Sequence, residues 1–311
     1  MLDRDAAITL PREAMLSNFG TALLKPELSE RFPMRLAVCS WSLSRENLPA
    51  LIERTQRCGV TAVQLALDPV RESWGVMETA AALSEAGIEI CSGMMEMAGE
   101  DYSTLESIRQ TGGVRLDEHW QQNLAAARAN AAIAKELGIQ LVTFHAGFIP
   151  HDAEDPLRAR MLERLREICD VFLEHSIEVA FETGQETAET LLDALRELDR
   201  GGVGVNFDPA NMILYGMGDP IDAVRRLASR IRQVHIKDAE PAKVEGEWGT
   251  EVVAGHGSVD WDRFLGIISA LDPGVDLVVE REAGDERVLD VRTGVAMVRQ
   301  TLAALNQEIP R

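Results

Sequence analysis

From residue 35 onward, short apolar runs rich in β-branched residues alternate with longer segments of helical period. Runs of that kind suit strands buried on both faces, and parallel strands need long crossovers, so the alternation specifies a parallel sheet wrapped in helices. The predicted strands occupy residues 36–40, 62–67, 88–92, 141–145, 178–182, 204–208, 233–237 and 276–280. Eight βα units predict an α/β fold that closes on itself, a (β/α)₈ TIM barrel, in preference to an open sheet. Such barrels run to ~250 residues plus insertions, which a chain of 311 residues accommodates as one domain. A glycine separates helix from strand at Cys58-Gly59-Val60, Ala86-Gly87-Ile88 and, after an alanine-rich helix predicted over 123–137, at Gly138. No Pro/Gly/Ser-rich linker divides the chain. Residues 1–32 are expected to form an N-terminal helical extension and residues 33–311 the barrel.

Charge narrows the choice of partners. With 31 Lys+Arg against 51 Asp+Glu the net charge is -20, a field that repels polyanions, whereas nucleic-acid binding depends on neutralising phosphates. DNA and RNA are therefore not expected as partners. No apolar run approaches the ~20 residues that span a bilayer, so no membrane insertion is expected. Acidic residues stand where the basic start of a secretory signal belongs, which leads to the expectation of a cytoplasmic location. Cys39, Cys58, Cys91 and Cys169 lack CxxC spacing and are expected to be buried thiols.

Catalytic groups of a (β/α)₈ barrel sit at the C-terminal ends of its strands. His145, Glu182, Asp208, His235 and Glu280 each close an apolar run. Carboxylates are rarely buried without compensation, and a cation would supply it. Glu182, Asp208, His235 and Glu280 thus form a candidate oxygen/nitrogen site for one divalent ion: Mn²⁺, Mg²⁺, Co²⁺ or a catalytic Zn²⁺. Four protein ligands leave two positions of a six-coordinate ion for the oxygens of a hydroxyketone or diol, so a small polyhydroxylated molecule is the expected partner. Polarised in this way, the carbonyl acidifies the neighbouring C–H. Glu182 and Glu280 are the candidate bases, since a carboxylate can give one oxygen to the metal and the other to a proton. His145, Lys237, Asn211, Trp41, Gln64 and His256 are expected to contact substrate. Asp238 is a further candidate for orienting hydroxyls, Glu96 for facing the pocket, and Arg281 for holding a phosphate if one is present.

The stretches Phe181-Glu182-Thr183, Asn206-Phe207-Asp208-Pro209-Ala210-Asn211, Val234-His235-Ile236-Lys237-Asp238, Gly255-His256-Gly257-Ser258-Val259-Asp260-Trp261 and Val279-Glu280-Arg281-Glu282-Ala283-Gly284 occur in this order at barrel spacing. Together they resemble the xylose isomerase-like barrels, the sugar phosphate isomerase/epimerase and AP endonuclease family 2 group, over roughly residues 35–305. The resemblance implies the metal set Glu182, Asp208, His235 and Glu280, and a sugar, sugar phosphate or cyclitol isomerase or epimerase. Proton transfer would pass through an enediolate stabilised by the metal. It also implies alternatives: a lyase similar to inosose dehydratase, a sugar-binding barrel without turnover, or an abasic-site endonuclease. Epimerases of the group often carry a histidine three residues after the strand-six aspartate, where this chain has Asn211. The nuclease branch resembles a three-metal, histidine-rich site, and this chain has 6 His in all. Relatives are commonly dimers or tetramers, so the resemblance allows a homo-oligomer.

Overall fold

Eight strands lie within two residues of the predicted ones and hydrogen-bond in parallel into a closed ring. They are β1 (Leu36–Cys39), β2 (Ala62–Ala66), β3 (Glu89–Met94), β4 (Leu141–Phe144), β5 (Glu178–Glu182), β6 (Val203–Phe207), β7 (Ile231–Ile236) and β10 (Asp276–Val279). Their order around the barrel is β1-β10-β7-β6-β5-β4-β3-β2, and Leu36 opposite Leu277 and Val38 opposite Val279 close it. The computed structural model describes residues 34–244, 246–271 and 275–305. The extension expected over residues 1–32 lies outside the described residues.

Side-chain alternation divides each strand between two environments. Phe144, Phe181 and Phe207 are fully buried in the layer between sheet and helices, where Phe144 meets Phe181 edge-on at 5.3 Å and Phe207 meets Phe264 at 5.6 Å. Their neighbours in sequence, Thr143, Glu182 and Asn206, therefore point into the barrel. There the packing is polar: Gln64, Ser92, Thr143, Asn206 and Gln233 are all at 0% exposure, and hydrogen bonds join Gln64 to Thr143 (2.8 Å), Ser92 to Gln233 (2.5 Å) and Gln233 to Asn206 (3.2 Å). Buried polar groups persist only when they are paired, and this layer forms the floor beneath the strand-end carboxylates.

The barrel register slips at Val63/Gln64 against β3 and at Val205/Asn206 against β7. A bulge re-aims the side chain beside it, and Gln64 and Asn206 both reach Nε2 of the His235 ring. The three glycine junctions are as the sequence suggests, with Gly59, Gly87 and Gly138 in the left-handed region at φ of 73°, 68° and 71°. The helix preceding Gly138, Asp117–Glu136, starts six residues before the predicted one, with Asp117 and Glu118 in its first turn. A hairpin of β8 (Asp238–Glu240) and β9 (Thr250–Val252) interrupts the βα alternation after β7. Among the described residues, no helix is long and apolar enough to cross a membrane.

Candidate metal centre

Glu182 ends β5, Asp208 follows β6, His235 lies within β7 and Glu280 follows β10, so four strands deliver four side chains to one level. All four are buried, and one ligand atom from each falls within 4.8 Å of the others. His235 Nδ1 is 3.4 Å from Glu182 Oε1, 3.7 Å from Asp208 Oδ2 and 3.4 Å from Glu280 Oε2. These separations exceed a good N–H···O bond, and neither His235 Nδ1 nor Asp208 Oδ2 has a hydrogen-bond partner. Two ligands at about 2.1 Å from a shared ion lie about 3.0–3.4 Å apart at the angles of octahedral or tetrahedral coordination. The donor set therefore fits one divalent ion better than it fits a network of hydrogen bonds.

The other side of the imidazole fixes its role. Nε2 lies 2.7 Å from Gln64 Oε1, an acceptor, and 3.0 Å from Asn206 Nδ2; with the hydrogen on Nε2 donated to Gln64, Nδ1 can offer its lone pair to an ion among the three carboxylates. Cys39 Sγ is 3.7 Å from Nε2 and within 4.8 Å of a Glu280 oxygen, and burial pushes that thiol well above its usual range. All four cysteines are free and buried.

Around this core the charges balance unevenly. Glu280 accepts from Trp41 Nε1 at 2.7 Å and from Lys237 Nζ at 2.9 Å; burial opposes its charge, but Lys237 and His235 hold the carboxyl well below the usual range. Glu182 accepts from Asn211 Nδ2 at 2.8 Å and from Asn206 Nδ2 at 3.3 Å, and His235 and His145 outweigh its burial to hold it below the ordinary value. Burial pushes Asp208 up to about 6; its Oδ2 is 3.9 Å from Lys237 Nζ, outside hydrogen-bond reach. Lys237 is itself buried, which disfavours its charge, yet Glu280, Glu282 and Asp208 keep the ammonium well above the usual lysine value.

A cavity of about 480 Å³ opens over the cluster, lined among others by Trp41, His145, Asn211, Lys237 and Glu280. Four residues expected to contact substrate, Trp41, His145, Asn211 and Lys237, thus border one space, and so does Glu96. Gln64 and His256 do not. Gln64 is fully buried beneath the cluster and holds His235. His256 is exposed, in a loop pinned by Asp238. That carboxylate accepts from the backbone nitrogens of Ala239, Gly255, Gly257 and Val259 and from Trp261 Nε1, so it anchors the loop and has no oxygen left for substrate. Arg281 is committed to Glu251 and Asp290, at 2.8 and 2.9 Å, and is no phosphate ligand. Asn206, Glu100, Tyr102 and Trp248 were not singled out by the sequence, because nothing in an isolated Asn, Glu, Tyr or Trp marks it as facing a site.

The hydrogen bond to Gln64 carries its own test. Gln64→Leu removes the acceptor that fixes the tautomer and is expected to weaken divalent-ion binding roughly 10–100-fold, as loss of such outer partners does. Gln64→Glu, which keeps an acceptor oxygen, should restore most of it. Titration calorimetry with Mn²⁺ reads both; equal affinity for the Leu variant and the parent would remove Gln64 from the site.

Glu186, four residues beyond Glu182, is buried with its Oε1 unpartnered, and burial alone pushes its carboxyl up to about 8 from the ordinary 4.5. Its folded value lies above its unfolded one, so the folded chain keeps a proton that the unfolded chain releases. Its contribution to stability is complete below pH ~4.5 and is lost as pH rises through about 8. Glu186→Gln does not titrate and should gain on the parent by on the order of 3 kcal/mol between pH 5 and pH 8. Urea unfolding at both pH values measures this; a constant gap would mean that Glu186 is ionised throughout.

Residues 52–301 match the family described as xylose isomerase-like TIM barrel, and the chain belongs to it. It is 26% identical over 179 residues to an inosose dehydratase of Geobacillus kaustophilus, covering 53% of this chain and 46% of that one. It is likewise 26% identical over 129 residues to a 3-oxo-isoapionate decarboxylase of Pectobacterium atrosepticum, covering 40% and 46%. The chain thus spans about half the length of the curated relatives it matches. A xylose isomerase domain protein from Planctomyces limnophilus superposes with a TM-score of 0.78 at 26% identity, over 89% of this chain and 98% of that one.

Proposed function

We propose that this xylose isomerase-like barrel is a metal-dependent isomerase or epimerase of small polyhydroxylated carbonyl compounds, with Glu182, Asp208, His235 and Glu280 as the ligands of one divalent ion. One observation carries the reading: His235 Nδ1 and Asp208 Oδ2 are buried and unpartnered, and Nδ1 faces carboxylate oxygens of Glu182, Asp208 and Glu280 at 3.4 to 3.7 Å. Held there, Mn²⁺, Mg²⁺, Co²⁺ or Zn²⁺ would bind substrate oxygens, polarise the carbonyl and acidify the adjacent C–H.

The remaining chemistry belongs to side chains of this chain. Glu182 and Glu280 come from β5 and the end of β10, on opposite sides of β7 in the barrel order, so each can serve one face of a carbon between them. One, as a carboxylate, takes the proton, and the other, loaded with a proton from solvent beforehand, gives it to the opposite face and is left ionised, solvent removing the first proton to close the cycle. Asn211 donates to Glu182 and accepts from Lys237 at 3.3 Å, which ties the two sides together. Lys237 lines the cavity with its ammonium held charged, and so can stabilise an enediolate oxygen.

A second reading, dehydration, is favoured by His145 and Lys237. Both line the cavity, and His145 Nδ1 is buried and unpartnered with Nε2 3.7 Å from Glu182, so either can protonate a departing β-hydroxyl. The likeness to an inosose dehydratase supports the same reading. Incubation of the Mn²⁺-supplied protein with ketohexoses and inososes in deuterated water separates the two. Deuterium at the epimerised carbon without loss of water supports the first reading, a new enone absorbance the second, and neither product from any of them excludes both.

A further inference from the structure

The cavity's lining is lopsided in charge. Glu96, Glu100, Glu251, Glu280 and Glu282 all border it, whereas among the described residues its only permanently cationic side chains are Arg45 and Lys237. Both cations already have carboxylate partners. Arg45 Nη1 is 2.6 Å from Glu96 Oε1, with both side chains half exposed where the cavity opens, and Lys237 Nζ is 2.9 Å from Glu280 and 2.6 Å from Glu282. Glu251 has its own cation, Arg281, but behind the wall. Glu100 has none: it accepts from the backbone N–H of Gly113 at 2.8 Å and from the Tyr102 hydroxyl at 3.3 Å. With Glu182 and Asp208 counted in the floor, carboxylates still outnumber the cations after a divalent ion is added.

The N-terminus of the rim helix Pro209–Leu214, which elsewhere in such folds can cradle a phosphate, is occupied by the Asp208 carboxylate: Oδ1 accepts from the N–H of Asn211 at 2.9 Å. The opposite wall is apolar. Trp248 and Tyr215 meet edge-on at 4.9 Å beside Leu214. Carboxylates that accept from hydroxyls, facing aromatic rings that accept a C–H surface, are complementary to an uncharged polyol and repel an anion.

We propose that this cavity selects uncharged polyhydroxylated carbonyl compounds against their phosphate and carboxylate counterparts, and that the Arg45–Glu96 pair is a specificity determinant at its mouth. The inference rests on the proposed function and narrows its substrate class. It also separates the two curated relatives, of which one is named for a neutral cyclitol ketone and the other for a carboxylate. The pair works by occupying the one cation that an incoming phosphate would otherwise meet first. A wrong ligand is refused by the repulsive element as much as a right one is attracted.

The test is calorimetric binding to the Mn²⁺-supplied protein of two matched pairs: D-tagatose with D-tagatose 6-phosphate, and D-tagatose with D-tagaturonate. The neutral member is expected to bind at least about tenfold more tightly in each pair. Glu96→Gln releases Arg45 and should narrow the tagatose-to-phosphate ratio at least threefold. Equal or tighter binding of either anion, binding of neither member of a pair, or an unchanged ratio in Glu96→Gln overturns the inference. Binding of neutral compounds without turnover would sink the proposed function and leave this inference standing; turnover with a preference for the anion would do the reverse.

Discussion

Asp208→Asn is expected to fold as the parent does and to lose divalent-ion affinity by at least about 100-fold, at or beyond the largest losses seen when an outer partner of a ligand is removed. The two oxygens of Asp208 do separate work. Oδ1 accepts from the N–H of Asn211 and caps the helix Pro209–Leu214, a function that an asparagine performs equally well. Oδ2 has no hydrogen-bond partner and faces His235 Nδ1 at 3.7 Å. In the variant that position becomes an amide N–H₂, which can donate to the Nδ1 lone pair and so fill the coordination position while removing one of three carboxylate charges. The cost falls on ion binding and not on the fold. The ion-free variant should melt at or above the ion-free parent, because a buried carboxylate without a partner is a liability. Calorimetry with Mn²⁺ and melting curves with and without the ion report the two effects independently. An Asn variant that binds Mn²⁺ within tenfold of the parent would show that Oδ2 is not a ligand.

The strands and their polar ends were legible because parallel strands buried on both faces run largely to β-branched and aromatic residues, so a carboxylate or imidazole closing Val-Ala-Phe-Glu182 or Gln-Val-His235 stands out against its own run. The same logic could not reach Asn206, and it assigned Gln64 to substrate instead of to His235. Each sits inside a strand, and its significance comes from a register slip that turns it toward His235, which depends on the neighbouring strand and not on local sequence. His256 was misplaced for a related reason. His256 lies in a Gly-flanked stretch expected to reach substrate, whereas five donors converging on Asp238 fix that loop with the ring outside the cavity. The hairpin β8–β9 was unreadable because its strands of three residues each are too short to show a period. Glu280 and Glu282 share a face by alternation, and the distinction between them is one of depth. Glu280 is buried against Trp41 and Lys237, while the Glu282 side chain is 48% exposed at the rim.

Glu182→Gln and Glu280→Gln are each expected to lower turnover by about 10³-fold or more, toward the upper range for loss of a general acid or base. They should not, however, fail in the same way. If each carboxylate serves one face of the reacting carbon, removal of one leaves the other able to take a proton from one epimer and give it back to the same face. Glu182→Gln should then still wash deuterium from solvent into one epimer without interconversion, and Glu280→Gln into the other. The surroundings favour such a division. Glu182 is fixed by two amide donors, Asn211 on Oε1 and Asn206 on Oε2, of which an isosteric glutamine keeps the shorter, from Asn211, by presenting its oxygen there. Glu280 is fixed by Trp41 and Lys237, and there the neutral variant leaves the ammonium with Glu282 at 2.6 Å as its remaining close carboxylate. Because both residues also face His235 Nδ1, each variant must be assayed at ion concentrations that saturate it, so that lost affinity is not read as lost chemistry. Deuterium NMR of both epimers supplies the measurement. Wash-in to the same epimer by both variants, or none by either with the ion bound, would leave a two-base proton transfer without support and turn the assignment toward Lys237 and His145 as the groups that move the proton.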